Sequence, residues 1–152
     1  MRTAPIESIT TSMHSRNRNN LTALSVLLFM ASFPCFAQTS AAYRACSHKA
    51  RTQSEMNACA SKEAARVDAE LNRVHNEILS ETSMQPEATA KIKAAEQAWV
   101  AYRDAYMDAM YPATDKQGEY GSIYPMEANL LHAKLAAQHL LDLKQLLQQH
   151  RN

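Results

Sequence analysis

The sequence predicts an all-α protein, a small bundle of three long amphipathic helices preceded by a short helix that a disulfide tethers. Only two glycines occur in the 152 residues, whereas alanine, leucine, glutamine and glutamate recur throughout. Those residues lose little side-chain freedom in a helix, and an interior glycine costs about 1 kcal/mol. Apolar residues also recur at helical spacing in three long segments, which must bury their apolar faces against one another.

Residues 1–37 have the features of a secretory signal peptide. Arg16 and Arg18 precede an apolar run over residues 21–31, and Ala37 supplies the small residue expected before a cleavage site. The run is shorter than the roughly 20 apolar residues of a membrane span. We therefore expect an exported protein without a membrane span after signal removal.

The exact ends of this signal are open. Met13 is an alternative start, because the polar stretch before Arg16 is long for a signal peptide. Cys35 offers a second alternative, a lipoprotein anchor, although the residues before it match such a site poorly. The prediction is a mature helical domain over residues 38–152, located in the periplasm or secreted.

Signal removal leaves Cys46 and Cys59 as the cysteines of the mature chain. A lone pair in an exported protein indicates one disulfide, and the alternative is two free buried thiols. The bridge would close a loop of about 14 residues and stabilise the fold by roughly 3 kcal/mol on chain-entropy grounds. It would fasten a short helix, predicted over residues 40–49, onto the first long helix.

The first long helix is predicted from Thr52 to near Thr82. Thr52 and Glu55 form a T-x-x-E capping box, in which each side chain bonds the backbone amide of the other residue. Steps of three and four then place apolar residues on one face. That face consists of Met56, Ala60, Ala64, Val67, Leu71, Val74 and Ile78.

The second long helix is predicted to begin near Pro86, with Glu87 where an acid favours the helix dipole, and to end by Pro112. Its predicted apolar face consists of Ala88, Ile92, Ala95, Trp99, Tyr102, Tyr106 and Met110. We interpret Trp99 and Tyr102 as core residues.

A loop is predicted over residues 112–125, which contain both glycines and two prolines. The last helix is predicted over residues 126–149. Its apolar face consists of Leu130, Ala133, Ala137, Leu140 and Leu147, widened by Leu131, Leu135, Leu141 and Leu146.

Short motifs occur in order along the mature chain: T-Q-x-E-M-N-x-C-A from residue 52, D-x-x-L-N from 68, Q-x-W-x-x-Y-R-D-A from 97 and G-S-I-x-P-M from 121. With Cys46, this pattern resembles the LprI-type family, named for a lysozyme inhibitor. The resemblance covers about residues 46–146. It implies an exported, cysteine-stapled helical domain, with lysozyme inhibition as the activity for which the family is named.

This sequence departs from the family pattern in four places. A second cysteine pair, common in the family, is replaced by Met107 and Leu131, two apolar residues that can pack together. His75 takes the place of a family aromatic residue, and His139 takes that of a late arginine. The polar contacts of those family residues are therefore not carried over.

The segment around the predicted loop is rich in tyrosines and acids. Tyrosine is favoured at interfaces because it combines contact area with a polar tip. The six candidate partner-binding residues are Tyr111, Asp115, Glu119, Tyr120, Ser122 and Tyr124. The alternative is a loop that folds back on its own bundle using those rings.

A structural polar contact is predicted between the first two long helices, with Arg103 reaching Asp68 or Asn72. Asp104 follows Arg103 directly, so the two side chains point in different directions and are not expected to pair.

No constellation of residues indicates an enzyme, a cofactor or a metal site. His132 and His139 share a helix face without a glutamate base or thiolates beside them, and Ser122 lacks a base. The acids Asp104 and Asp108 are interpreted as a solvated face. Glycine-rich phosphate loops are missing, and the nearly balanced charge does not indicate nucleic-acid binding.

The preferred hypothesis is an exported non-catalytic binding protein that inhibits a lysozyme-type muramidase. The alternative is a periplasmic structural or assembly module that binds an envelope partner, and an unrecognised hydrolase ranks third. Residues 38–152 contain 13 Lys and Arg against 14 Asp and Glu, a net charge of −1. Steering towards a basic lysozyme by net charge is therefore not expected, and inhibition would rest on local contacts.

Overall fold

A computed structural model of the chain describes residues 39–152. The predicted signal peptide and Cys35 lie outside the described residues. The helices are α1 (Ala41–Ser47), α2 (Gln53–Glu81), α3 (Pro86–Met110), α4 (Lys116–Tyr120) and α5 (Tyr124–Arg151), with a 3-10 turn at Gly121–Ile123. The described part of the chain contains no strand, which confirms the all-α prediction. None of these helices combines the length and the apolar character that crossing a bilayer requires.

The short helix α1 is tied to α2 as predicted. Cys46 and Cys59 form a disulfide with their Cα atoms 5.7 Å apart. The Ser40 hydroxyl caps α1 by accepting a hydrogen bond from the Tyr43 amide. At the start of α2, the predicted capping box between Thr52 and Glu55 is present in both directions.

The core lies between α2 and α5, which form the main packing pair of the bundle. The core residues are Ala64, Val67, Leu71, Val74, Ile78, Ile92, Ala133, Ala136, Leu143 and Leu147. The predicted face of α2 is thus confirmed from Ala60 to Ile78. On α5, the predicted Ala137 and Leu141 are instead exposed, and Leu143 takes a core position that the sequence analysis did not assign.

The connection from α2 to α3 is closed by two threonines. Thr82 is fully buried, and its hydroxyl donates to the Ile78 carbonyl at 3.0 Å. The Thr89 hydroxyl then donates to the Thr82 carbonyl at 2.7 Å. These bonds end α2 at the predicted residue and hold the first turn of α3 against it.

The predicted apolar face of α3 is wrong in its second half. Tyr102 is 57% exposed, Met110 50% and Tyr106 38%. The reason is that, beyond the first turns that meet α2, α3 packs against α5, so only a narrow face of it is covered. Beyond Trp99, that covered face continues through Arg103 and Met107, one position along from the predicted row.

The predicted loop over residues 112–125 is also partly wrong, because α4, the 3-10 turn and the start of α5 lie within it. Asp115 caps α4 by accepting from the Gly118 amide at 2.9 Å. Gly121 has a φ of +70°, a conformation that favours glycine. Pro125 occupies the first turn of α5, where proline is tolerated.

Candidate functional site

Three of the candidate tyrosines pack against one another. The ring centroid of Tyr111 lies 5.4 Å from that of Tyr120 and 5.0 Å from that of Tyr124, both edge to face. Tyr120 and Tyr124 are 5.8 Å apart, and the Tyr120 hydroxyl accepts from the Ala113 amide at 3.3 Å. The three rings therefore pack on one another within this segment, and partner binding by the segment stays a prediction. We call these three residues the tyrosine cluster.

The turn beside the tyrosine cluster is fastened to the start of α2. The Asn57 side chain donates to the Ser122 carbonyl at 3.1 Å, and Gln53 donates to the Asn57 side chain at 2.8 Å. Ser122 thus contributes its backbone, while its side chain is exposed. Sequence reasoning missed these two roles, although Gln53 and Asn57 both belong to the T-Q-x-E-M-N-x-C-A motif.

Replacing Asn57 with alanine is expected to loosen this turn without unfolding the bundle. A single hydrogen bond to a carbonyl contributes about 1 kcal/mol, so amide exchange over residues 116–123 should accelerate about fivefold. Hydrogen exchange followed by mass spectrometry measures this. Exchange in the core of α2 should not change, and equal acceleration in both places would contradict a local role for Asn57.

The acids of this region are exposed and concentrated. We call residues 104–127, from the last two turns of α3 to the first turn of α5, the acidic end. They contain five acids and one base, a net charge of −4, whereas the other described residues contain nine acids and twelve bases, a net charge of +3. The near-zero total therefore conceals a segregation of charge along the sequence, which reasoning from net charge alone missed.

Two pKa values reflect the packing in the acidic end. The ammonium of Lys116 lies 2.7 Å from Asp108, and this hydrogen bond raises the pKa of Lys116. Burial raises the pKa of Tyr111. Asp115 and Glu119 are exposed, so their charges face solvent. The acidic end is thus a firmly packed platform with exposed carboxylates rather than a mobile loop.

The predicted contact between Arg103 and α2 is wrong. Arg103 instead donates to Asp104 at 2.8 Å, the neighbour with which it was not expected to pair. Its guanidinium carbon also lies 5.2 Å from the centre of the Trp99 ring. Asp68 has a different partner, and Asn72 is exposed. The physical reason is that α3 packs on α5, which leaves Arg103 to fold along its own helix.

The two histidines on α5 bind different helices. His132 Nε2 lies 2.9 and 3.0 Å from the two carboxylate oxygens of Asp68 on α2. His139 Nε2 lies 2.8 Å from Glu96 on α3, and its ring stacks on Trp99 at a centroid distance of 4.2 Å. These contacts join the helices to α5, and they were not predicted. Across residues 39–152, no three metal-ligating side chains come together.

Glu63 is a buried carboxylate of α2 that is not part of the predicted apolar face. Only 6% of it is exposed. It accepts from the Ser40 hydroxyl at 2.6 Å and from Arg66 at 2.9 and 3.1 Å. The hydrogen bonds from Arg66, opposed by burial and aided by those from Ser40, lower the pKa of Glu63. Glu63 therefore joins the segment before α1 to α2.

A groove of about 360 Å³ lies beside Glu63, between α2, α5 and the segment before α1. Its walls are mainly apolar, with Val67, Leu130 and Leu131 among them. Among residues 39–152, Glu63 is the one carboxylate that lines it, and that group is already bonded to Ser40 and Arg66. The described lining therefore offers a single, occupied carboxylate rather than a converging pair.

Comparison with known proteins gives one finding. The model of the protein family described as "Lysozyme inhibitor LprI" matches residues 45–143. The match includes both cysteines, α2, α3 and the acidic end. A search of curated proteins and a search of solved structures each gave no match.

Proposed function

We propose that this chain, which belongs to the LprI lysozyme inhibitor family, inhibits a muramidase through its acidic end. In this proposal the protein is exported and non-catalytic. The observation that carries this proposal is the segregation of charge, with −4 on residues 104–127 and +3 on the other described residues. An acidic patch attracts a basic enzyme and orients it during encounter.

The packing of the acidic end suits it to this role. Glu119 is exposed on α4 and Asp115 is exposed at its N-cap, while the residues of the tyrosine cluster are half-buried. Because the rings pack together and Asn57 holds the turn, little conformational freedom is lost on binding. The proposed contact therefore combines exposed carboxylates with a preorganised support.

Export is part of the proposal. A disulfide between Cys46 and Cys59 forms and persists in oxidising compartments such as the periplasm or the extracellular space. The apolar run before residue 38 supports the same destination. We therefore propose that the mature chain meets its muramidase at the cell envelope.

Reversing one exposed charge at the acidic end tests the site. Glu119→Lys is expected to weaken inhibition about tenfold, because a like charge would face a basic enzyme. The measurement is the concentration for half-inhibition of a basic lysozyme in a cell-wall lysis assay. Asp142→Lys is the matched control, since Asp142 is exposed on α5 and, like Glu119, forms no ion pair within residues 39–152.

The possible results distinguish whether the protein inhibits lysis from which of its surfaces binds the enzyme. If the wild-type protein at stoichiometric excess does not slow lysis, the proposal fails. If Glu119→Lys and Asp142→Lys weaken inhibition equally, net charge rather than the acidic end carries the effect. Full inhibition by Glu119→Lys would assign the contact to another surface.

A further inference from the structure

One side of α3, adjacent to the face that meets α5, is apolar and exposed. We call it the outer face of α3; its members are Ala95, Ala98, Tyr102, Ala105, Tyr106 and Ala109, all exposed. The rings of Tyr102 and Tyr106 lie 5.9 Å apart, so they form one continuous surface. Two aromatic rings exposed side by side on an uncharged helix face indicate an interaction surface.

The spacing of the outer face suits a second helix. Five of its residues follow one another at steps of three, four, three and four, beginning at Ala95 and ending at Ala109. This is the spacing with which two helices pack side by side. Its alanines allow close approach of a partner backbone, and no charged residue interrupts it.

The charges beside this face have opposite signs at its two ends. Lys91 continues the row at its beginning, four residues before Ala95, and Asp108 flanks its end, three residues after Ala105. Two copies of α3 packed antiparallel would bring the lysine of each copy close to the aspartate of the other. A parallel pair would place like charges together. The charges on α3 of one copy are therefore complementary to those on α3 of a second copy packed antiparallel.

Existing ion pairs do not oppose this arrangement. Lys91 is paired with Glu87, and Asp108 with Lys116, on the surface of the same chain. Exposed pairs of this kind contribute only about 0–1 kcal/mol, so exchanging partners costs little.

We propose that two copies of this protein form a two-fold symmetric dimer through the outer face of α3, with the two helices antiparallel. Such an isologous contact closes on itself, as most homodimers do. It uses Asp108 and leaves Asp115 and Glu119 of each acidic end free, with the two acidic ends on opposite sides of the axis.

The oligomeric state of the mature protein tests this inference. Sedimentation equilibrium is expected to give twice the chain mass for the wild type. Ala105→Glu places a charge in the middle of the contact in both copies and should weaken the dimer at least about tenfold. Ala65→Glu, at an exposed alanine of α2, is the matched control and should leave the dimer intact. Circular dichroism verifies that both variants keep their helices.

Charge exchange tests the antiparallel arrangement separately. Lys91→Glu and Asp108→Lys should each weaken the dimer about fivefold, and the double variant should recover most of the loss. A parallel contact would not show this recovery, because the two positions would not meet.

Three results would overturn the inference. One is a monomer at all concentrations up to about 100 μM, well above the Kd of a stable dimer. The second is a dimer unaffected by Ala105→Glu. The third is a monomer in which Ala105→Glu abolishes lysozyme inhibition, which would assign the outer face to the muramidase. Dimerisation and inhibition are measured independently, so either proposal can fail while the other stands.

Discussion

Replacing Cys46 and Cys59 together with serine is expected to lower the free energy of unfolding by about 3 kcal/mol and the melting temperature by about 12 °C. The bond joins positions 13 apart in sequence, and breaking it releases that loop in the unfolded chain. In the folded chain it holds α1, a seven-residue helix without a buried residue. A helix this short is marginal in water, so α1 depends on the bond.

Thermal melting followed by circular dichroism measures the effect on the mature protein. The wild type in the presence of a reductant is the control, and it should melt near the temperature of the double-serine variant. The variant itself should not respond to reductant. A melting temperature that is unchanged by both treatments would show that the bond between Cys46 and Cys59 does not stabilise the fold.

Replacing Glu63 with alanine is expected to lower the free energy of unfolding by about 2 kcal/mol at neutral pH, a typical loss for hydrogen bonds to a buried charged group. The substitution removes the acceptor of the Ser40 hydroxyl and of two Arg66 nitrogens. Arg66 can turn to water, because about half of its side chain is exposed. Ser40 cannot turn to water in the same way while it caps α1. The substitution should therefore also destabilise the segment before α2.

The effect of Glu63 should depend on pH in a defined direction. Its pKa is lowered in the folded protein, so the unfolded chain binds the proton more readily. Its contribution is therefore fully present above the unfolded pKa of about 4.3 and is lost as pH falls through the lower folded value. Urea unfolding at pH 7 and at pH 3 measures this. The difference between wild type and Glu63→Ala should shrink at the lower pH.

The control for Glu63 is Asp142→Ala, which removes an exposed acid of α5. It should change the free energy of unfolding by less than about 0.5 kcal/mol at either pH. If Glu63→Ala is equally harmless, the contacts with Ser40 and Arg66 do not stabilise the folded chain. If its effect grows as the pH falls, the assigned direction of the pKa shift is wrong.

The start and the buried face of α2 were predictable because its capping box and its apolar periodicity indicate the same helix. The capping box places the first turn, and the apolar row up to Ile78 is buried from Ala60 onwards. The pairing of Cys46 with Cys59 was also predictable, because removal of the predicted signal peptide would leave these two cysteines. Where a helix is covered along one wide face, periodicity in sequence is sufficient to locate that face.

The face of α3 was not predictable in the same way. Tyr102 and Tyr106 continue the apolar row, yet Arg103 and Met107 are the half-buried residues of this stretch. A helix covered along a narrow face can bury a row that includes a polar residue such as Arg103, and apolar periodicity does not reveal such a row. The stacking of His139 on Trp99 decided the orientation, and that contact joins residues 40 apart.

The polar partners of the candidate site depend on tertiary packing, which a single sequence does not encode in a readable form. The composition of residues 112–125 indicated a turn, and the tyrosines indicated packing or binding. The hydrogen bond from Asn57 of α2 to the Ser122 carbonyl could not be predicted, because it depends on the packing of two segments that are distant in sequence. The acids were visible in the sequence, but their significance depended on comparing one region with the remainder.

The segregation of charge along the sequence affects the electrostatic interaction of this protein with other macromolecules. At physiological ionic strength the screening length is about 8 Å. A helix of 29 residues such as α2 extends about 43 Å, several times that distance. An approaching macromolecule therefore responds to the charges nearest to it and not to the average over the whole protein. The isoelectric point describes migration in bulk electrophoresis, but it says little about adhesion at the acidic end.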